Sequence, residues 1–174
     1  LVDPGPDPGT ALAGRDTLKP PTFVPPGWRF ICFSDDWTLS APGWEVRPLA
    51  WQHPTDPRRT ARWHKTHPHE LFPETAVTIW TDASIRATAD WRPLLWQLGS
   101  RDLATYRHPE RDCIYDEAQE CIRQGLDEAA IIQTQIDFYR QSGYPRHAGL
   151  AQTSLVIRRH SAQVREFDER WWEA

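Results

Sequence analysis

The sequence predicts an α/β domain in which a mixed, mainly parallel sheet is flanked by helices. Two observations carry that expectation. Short β-branched or aromatic runs alternate with stretches whose apolar residues recur at helical spacing. The chain of 174 residues is 39% hydrophobic with ten tryptophans, so one domain can bury a real core despite a low mean hydropathy. We expect a Pro/Gly-rich arm over residues 1–9 and a single domain over 10–174.

The elements follow in order. Asp3 to Gly9 cannot form a helix or a central strand, because its prolines fix φ and lack a donor. Arg29 to Asp35 is a short apolar run ending on polar residues, as a buried strand does at a sheet edge. Trp44 to Leu49 alternates apolar and charged residues, the pattern of a half-exposed strand. Pro57 to His67 opens on proline, carries helix formers and meets Pro68, whose ring disfavours helical geometry just before it. Ala76 to Asp82 is the best strand candidate. Asp90 can cap a helix through Trp91, Leu94, Leu95 and Leu98, with Gly99 beyond its end. Leu103 to Tyr106 reads as a strand. Tyr115 to Ser142 reads as two helices split near Gly125, the second capped by Asp127 and closed by Gly143. Ser154 to Arg159 is the last strand and Val164 to Ala174 a terminal helix.

Charge and motifs exclude several functions. There are 20 basic and 24 acidic residues, a formal charge of −4, so a polyanion is not held by charge alone and nucleic acid is not an expected partner. No apolar run approaches the roughly 20 residues a membrane helix needs, and the expected location is the cytoplasm. Three cysteines without CxxC spacing argue for reduced thiols. The phosphate loop GxxxxGKS, the GxGxxG turn, the GxSxG elbow and the HExxH helix are all absent.

Chemistry is expected where strands end, because ligands of open α/β sheets sit outside the carboxyl ends of the strands. Two strands end on carboxylates, at Asp35-Asp36 and at Asp82. Asp82 is the most specific position; its bland alternative is a turn or cap residue. Lys65 can reach a phosphate or remain a surface lysine. His64 and His67 lie three apart, but Pro68 breaks the helix before His69, so a zinc site is not expected there. His108, Arg111 and nearby carboxylates offer a polar set within one connection. Of Arg158 and Arg159, strand alternation turns one inward.

Together these segments resemble a known family. Gly14 to Pro21, Phe30 to Asp36, Lys65 with His69 to Pro73, Ile79 to Ile85, His108-Pro109 with Arg111 to Tyr115 and Glu117-Ala118, and Leu155 to His160 followed by Phe167, Trp171, Trp172 and Glu173 occur in family order. They resemble the TOD/MUCI-type glycosyltransferase-like domain, over about residues 10 to 174. That resemblance implies a GT-A-like, Rossmann-like fold and a sugar transferase that uses a nucleotide-sugar donor and a hydroxyl acceptor, in polysaccharide or glycoconjugate synthesis. By the same resemblance Asp82, His108 and Arg111 are the catalytic set. Asp16, Asp35, Lys65, Asp82 and Ser84 lie at the nucleotide, and Asp82 binds a divalent cation, Mn or Mg. Ser84 stands where such folds commonly carry the second aspartate of an Asp-x-Asp pair. The resemblance also implies a domain incomplete at both ends: a first strand before Gly14 and an Arg-Asp-Gln motif after Glu173 are family features not present, so a partner domain or a further segment is expected to complete it. The rival readings are a non-catalytic sugar- or nucleotide-binding module and an inactive interaction domain of the same fold.

Overall fold

The computed structural model describes residues 18–173. The expected arm over residues 1–9, the Gly14 to Thr17 part of the first motif and Asp16 lie outside the described residues. By contact density the chain divides into two units, residues 1–104 with 154–174, and residues 105–153; the boundary falls within two strands.

The first unit opens with β1 (Ile31–Ser34) and β2 (Glu45–Pro48), paired in parallel with Cys32 opposite Val46. α1 (Pro57–Thr66) begins where Asp56 Oδ1 accepts the N–H groups of Arg58 and Arg59, at 2.8 and 3.1 Å, with Pro57 in the first turn where its missing donor costs nothing. It stops at His67 as Pro68 predicts, and Pro68 starts the single turn of α2 (Pro68–Leu71). β3 (Val77–Thr81) precedes α3 (Arg92–Leu98). The expected Asp90 cap is displaced by one position: Trp91 is the cap residue, without a side-chain bond, while Asp90 Oδ1 accepts the Arg92 N–H from just before it, and Gly99, at φ 55°, supplies the positive dihedral that ends the helix.

β4 (Leu103–Arg107) leads into the second unit, which is built on α4 (Ile114–Gln124) and α5 (Ala129–Gln141). Gly125, in left-handed geometry, splits the two helices where the sequence placed the break. The expected Asp127 cap is displaced by one position: Glu128 is the cap residue, without a side-chain bond, and Asp127 Oδ1 accepts the Glu128 N–H. Cys113, Tyr115, Ala118 and Ile136 form the core of this unit. The chain returns through β5 (Ala151–Arg159) and ends in α6 (Ala162–Glu173).

The fold is mixed α/β, but the mainly parallel sheet is not what forms. Two small sheets replace it: the parallel pair β1-β2 and an antiparallel sheet of order β3-β5-β4. The reason is the helix pair between β4 and β5. One crossover helix delivers the next strand in the same direction; here two helices, α4 and α5, lie between β4 and β5. β5 is therefore the central strand and β3 an edge. Alternation then gives β5 two buried faces: Leu155 and Ile157 pack with Val77, Ile79 and the α3 residues Leu94, Leu95 and Leu98, while Val156 and Arg158 face the other way.

The tryptophans also depart from expectation. Eight are half-buried, and Trp37 and Trp96 are exposed at 92% and 78%, so they edge the core rather than fill it. Leu98, 1% exposed at the centre of the α3 contact, is the opposite case. Leu98→Ala is expected to cost about 2–5 kcal/mol, read from the midpoint of urea unfolding.

Candidate functional site

The candidate site lies in the first unit. The register of β3 on β5 sets Thr78 opposite Arg158 and Trp80 opposite Val156. Thr78, Trp80 and, one step past the strand, Asp82 therefore share a face with Arg158. Along β3 runs a cavity of about 360 Å³ that takes its lining from both faces of the strand, Thr78, Trp80, Lys65 and Arg158 from this one and Ile79 and Trp91 from the other.

Asp82 is held firmly. Its N–H donates to Ser154 O at 2.9 Å and its carbonyl accepts from Ile85 N at 3.0 Å. Its Oδ1 accepts the Trp80 indole N–H at 2.9 Å and lies 3.8 Å from Lys65 Nζ. The carboxylate is 37% exposed; the cavity wall beside it is made by Thr81 and Ala83 rather than by Asp82 itself.

Lys65 comes from the last turn of α1 and is 14% exposed. Burial pulls its ammonium below the ordinary lysine range; Asp82 opposes that and the neighbouring Arg158 guanidinium adds to it. Its Nζ sits over the rings of Trp80 and Trp171, at 5.9 and 5.6 Å.

Arg158 is the inward arginine that strand alternation requires. It is fully buried, whereas Arg159 turns outward and donates to Gly99 O and Arg101 O. Arg158 Nε donates to Asp168 Oδ1 at 2.9 Å, and its guanidinium lies 5.7 Å from the Trp171 ring. Among the described residues Nη1 and Nη2 have no hydrogen-bond partner, nor has Asp168 Oδ2. Burial pushes the Asp168 carboxyl up to about 6 against the pull of Arg158. Sequence reading missed Asp168, although the signal was there: Val164, Asp168 and Trp171 recur at i, i+4, i+7 on α6, which puts Asp168 on the packed stripe.

The remaining expected residues are placed elsewhere. Ser84 is exposed and is not among the cavity residues. Asp35 is exposed and lines a different cleft with Asp36, Arg47 and Gln52. Asp36 is a turn residue: its Oδ1 accepts the Thr38 N–H and hydroxyl. His108 and Arg111 belong to the second unit. There Arg111 Nε donates to Glu117 Oε2, His108 Nδ1 accepts the Arg111 N–H at 3.0 Å, and His108 Nε2 is 3.7 Å from Glu117 Oε2. The structure thus joins Lys65 to Asp82, joins His108 to Arg111, and sets Asp35 apart from Asp82. His64 has both ring nitrogens engaged, Nδ1 with Thr60 O at 2.8 Å and Nε2 accepting from Ala50 N at 3.1 Å, so it has none left for a metal.

A region of 130 residues, 43–172, matches the TOD1/MUCI70 glycosyltransferase-like domain, and the chain belongs to that family. No curated protein and no solved structure matches it. Among the described residues no helix is long and apolar enough to cross a membrane.

The buried imidazoles fix the direction of a pH response. His64, His69 and His160 are each held below the ordinary histidine value, first by burial. The unfolded chain protonates them below about pH 6.5 while the fold resists, so the stability they carry is full above that pH and is lost as pH falls through their folded values. Asp168 acts in the opposite sense, its ionisation opposing the fold above about pH 6. The exposed His147, raised by its bond to Asp112, stands with Asp168, so with three buried imidazoles against these two groups Tm is expected to fall from pH 7 to pH 5, and to fall less in His160→Gln; a flat profile contradicts the assignment.

Proposed function

We propose that the chain transfers a sugar from a nucleotide-sugar donor to a hydroxyl acceptor, the donor diphosphate resting on Arg158 and Lys65 in the first-unit cavity. The observation that carries this reading is Arg158: a fully buried guanidinium whose Nη1 and Nη2 lack partners among the described residues, in a cavity wall shared with a second, partly buried cation. Leaving a buried charged donor unpaired costs roughly 1–3 kcal/mol or more. A phosphate would answer both nitrogens at once, because its oxygens match the guanidinium fork, once the side chains that now cover them move aside. Transfer leaves the nucleoside diphosphate with growing negative charge, and fixed cations in a water-poor cleft stabilise that charge as it develops.

The other residues take roles from this. Asp82, held by Trp80, accepts a donor hydroxyl, from the ribose or the sugar. The half-buried rings of Trp44, Trp80 and Trp91 offer flat faces for a base or a sugar. His108 and Arg111 stay the sugar-contacting pair, and Asp16 the nucleotide contact, only as the resemblance implies them, and Asp35, which faces a different cleft, takes no part in donor binding. A GT-A relationship, a role in polysaccharide or glycoconjugate synthesis and a cytoplasmic site of action belong to the same proposal.

The divalent cation fits poorly at Asp82. A hard cation needs several oxygen ligands, and here one carboxylate stands 3.8 Å from an ammonium with an exposed serine nearby. The proposal therefore assigns the diphosphate charge to Lys65 and Arg158 and takes no step through a metal.

A thermal-shift panel of nucleoside diphosphates and their sugars tests this. At a ligand concentration of a hundred times Kd the stabilisation is about 2.7 kcal/mol, and manganese is expected to leave the shift unchanged. Lys65→Ala is expected to remove most of it. The double change Arg158→Met with Asp168→Leu is expected to abolish it while keeping the fold, because replacing a whole buried ion pair is tolerated where removing one partner is not. No shift with any diphosphate, or a shift that both variants retain, refutes the cavity as the donor site. Binding without transfer to any hydroxyl acceptor refutes the reaction.

A further inference from the structure

The second unit holds a group of side chains that the sugar chemistry does not use. Cys113 stands just before α4, Asp116 lies in its first turn, and His147 follows α5 in the connection to β5. One ligand atom from each, the thiol sulfur, a carboxylate oxygen and an imidazole nitrogen, lie within 4.8 Å of one another. Among the described residues this is the group with that convergence.

We propose that Cys113, Asp116 and His147 bind one zinc ion, with water as the fourth ligand. The donor set decides the metal class: a thiolate, an imidazole and a carboxylate suit zinc, whereas magnesium and manganese prefer oxygen. A tetrahedral zinc at about 2.0–2.3 Å from its ligands spaces them roughly 3.6 Å apart, so atoms already within 4.8 Å need only small side-chain rotations. Binding replaces the Cys113 S–H bond with an S–Zn bond and releases that proton to solvent. Two anionic ligands and a neutral imidazole balance the charge of the ion.

The surroundings are arranged to support such a site. Asp112 Oδ1 lies 2.7 Å from His147 Nδ1 and sets the ring, as a carboxylate behind a metal-bound histidine does. Arg146 Nη2 donates to Asp116 Oδ1 at 2.8 Å and steadies that carboxylate. Two further bonds hold the same two segments together: Gly149 N to Asp112 O at 2.9 Å, and the Tyr115 hydroxyl to Tyr144 O at 2.6 Å. Cys113 is 1% exposed, but the side chains of Asp116 and His147 are 44% and 58% exposed, which gives an entry path and room for the water. The ion clips the start of α4 to the chain that leaves α5.

Cobalt(II), titrated as a zinc probe into the full chain with a thiol-free reductant, tests the site. The expected result is one equivalent bound, with a near-ultraviolet thiolate-to-cobalt charge-transfer band that zinc displaces. Cys113→Ser abolishes the band, His147→Ala weakens binding at least about tenfold, and Asp112→Asn weakens it about 10- to 100-fold as an outer-shell change does. Cys121→Ser leaves it intact. If Cys113→Ser fails to fold, His147→Ala decides, since its side chain is mostly exposed. No charge-transfer band in the wild-type chain, or one that survives His147→Ala at unchanged affinity, overturns the proposal.

Discussion

A guanidinium carries five N–H donors and does not give up its charge in a protein. Burying one therefore commits the surrounding structure to acceptors. In the first unit Arg158 is that commitment. It sits on the central strand because the antiparallel register gives β5 two covered faces, and it faces α6 because alternation turns Leu155 and Ile157 the other way. Asp168 answers Nε and costs the fold something in doing so, since burial lifts its carboxyl to about 6. Nη1 and Nη2 go unanswered from within the described chain. Trp171 is placed by the same arrangement, with Arg158 and Lys65 both within 6 Å of its ring centre.

The local elements were legible in the sequence because their signals are local. Pro57 and Pro68 bracket α1, Asp90 and Gly99 bracket α3, and Gly125 separates α4 from α5, each through a dihedral preference or a missing donor that acts within a few residues. Sheet direction was not legible in the same way. It depends on how many helices lie between paired strands and on whether consecutive strands pair at all, and β3, β4 and β5 pair out of sequence order. A run such as Val77 to Thr81 has the same pattern in a parallel and in an antiparallel sheet.

The site divides along the same line. Asp82 and Lys65 were legible, one from its place at a strand end and the other from the family motif, and the structure sets them 3.8 Å apart. Arg158 was half legible: alternation said that one arginine turns inward, but not that its partner would be Asp168. Asp35 and Ser84 illustrate the limit, since an acid or a hydroxyl beside a strand end has the right chemistry whether or not the chain turns it toward the cavity. Cys113, Asp116 and His147 come together only through the turn between two helices and the return of the chain after α5. No spacing rule reaches across that distance.

Charge balance explains how the first-unit cavity tolerates two cations in its wall. Lys65 is matched by Asp82 and Arg158 by Asp168, so the region is formally neutral although its cations repel one another. The two pairs are not equivalent. Asp82 is more than a third exposed and bonded to Trp80, and water screens its charge. Asp168 is buried with one oxygen unpaired and is the carboxyl already pushed toward its neutral form. An anion arriving on Nη1 and Nη2 shares the Arg158 charge that keeps Asp168 ionised, so of the two carboxyls it is Asp168 that would take up a proton to accommodate it. The same burial that makes the arginine demand an acceptor thus leaves its structural partner able to yield charge to one.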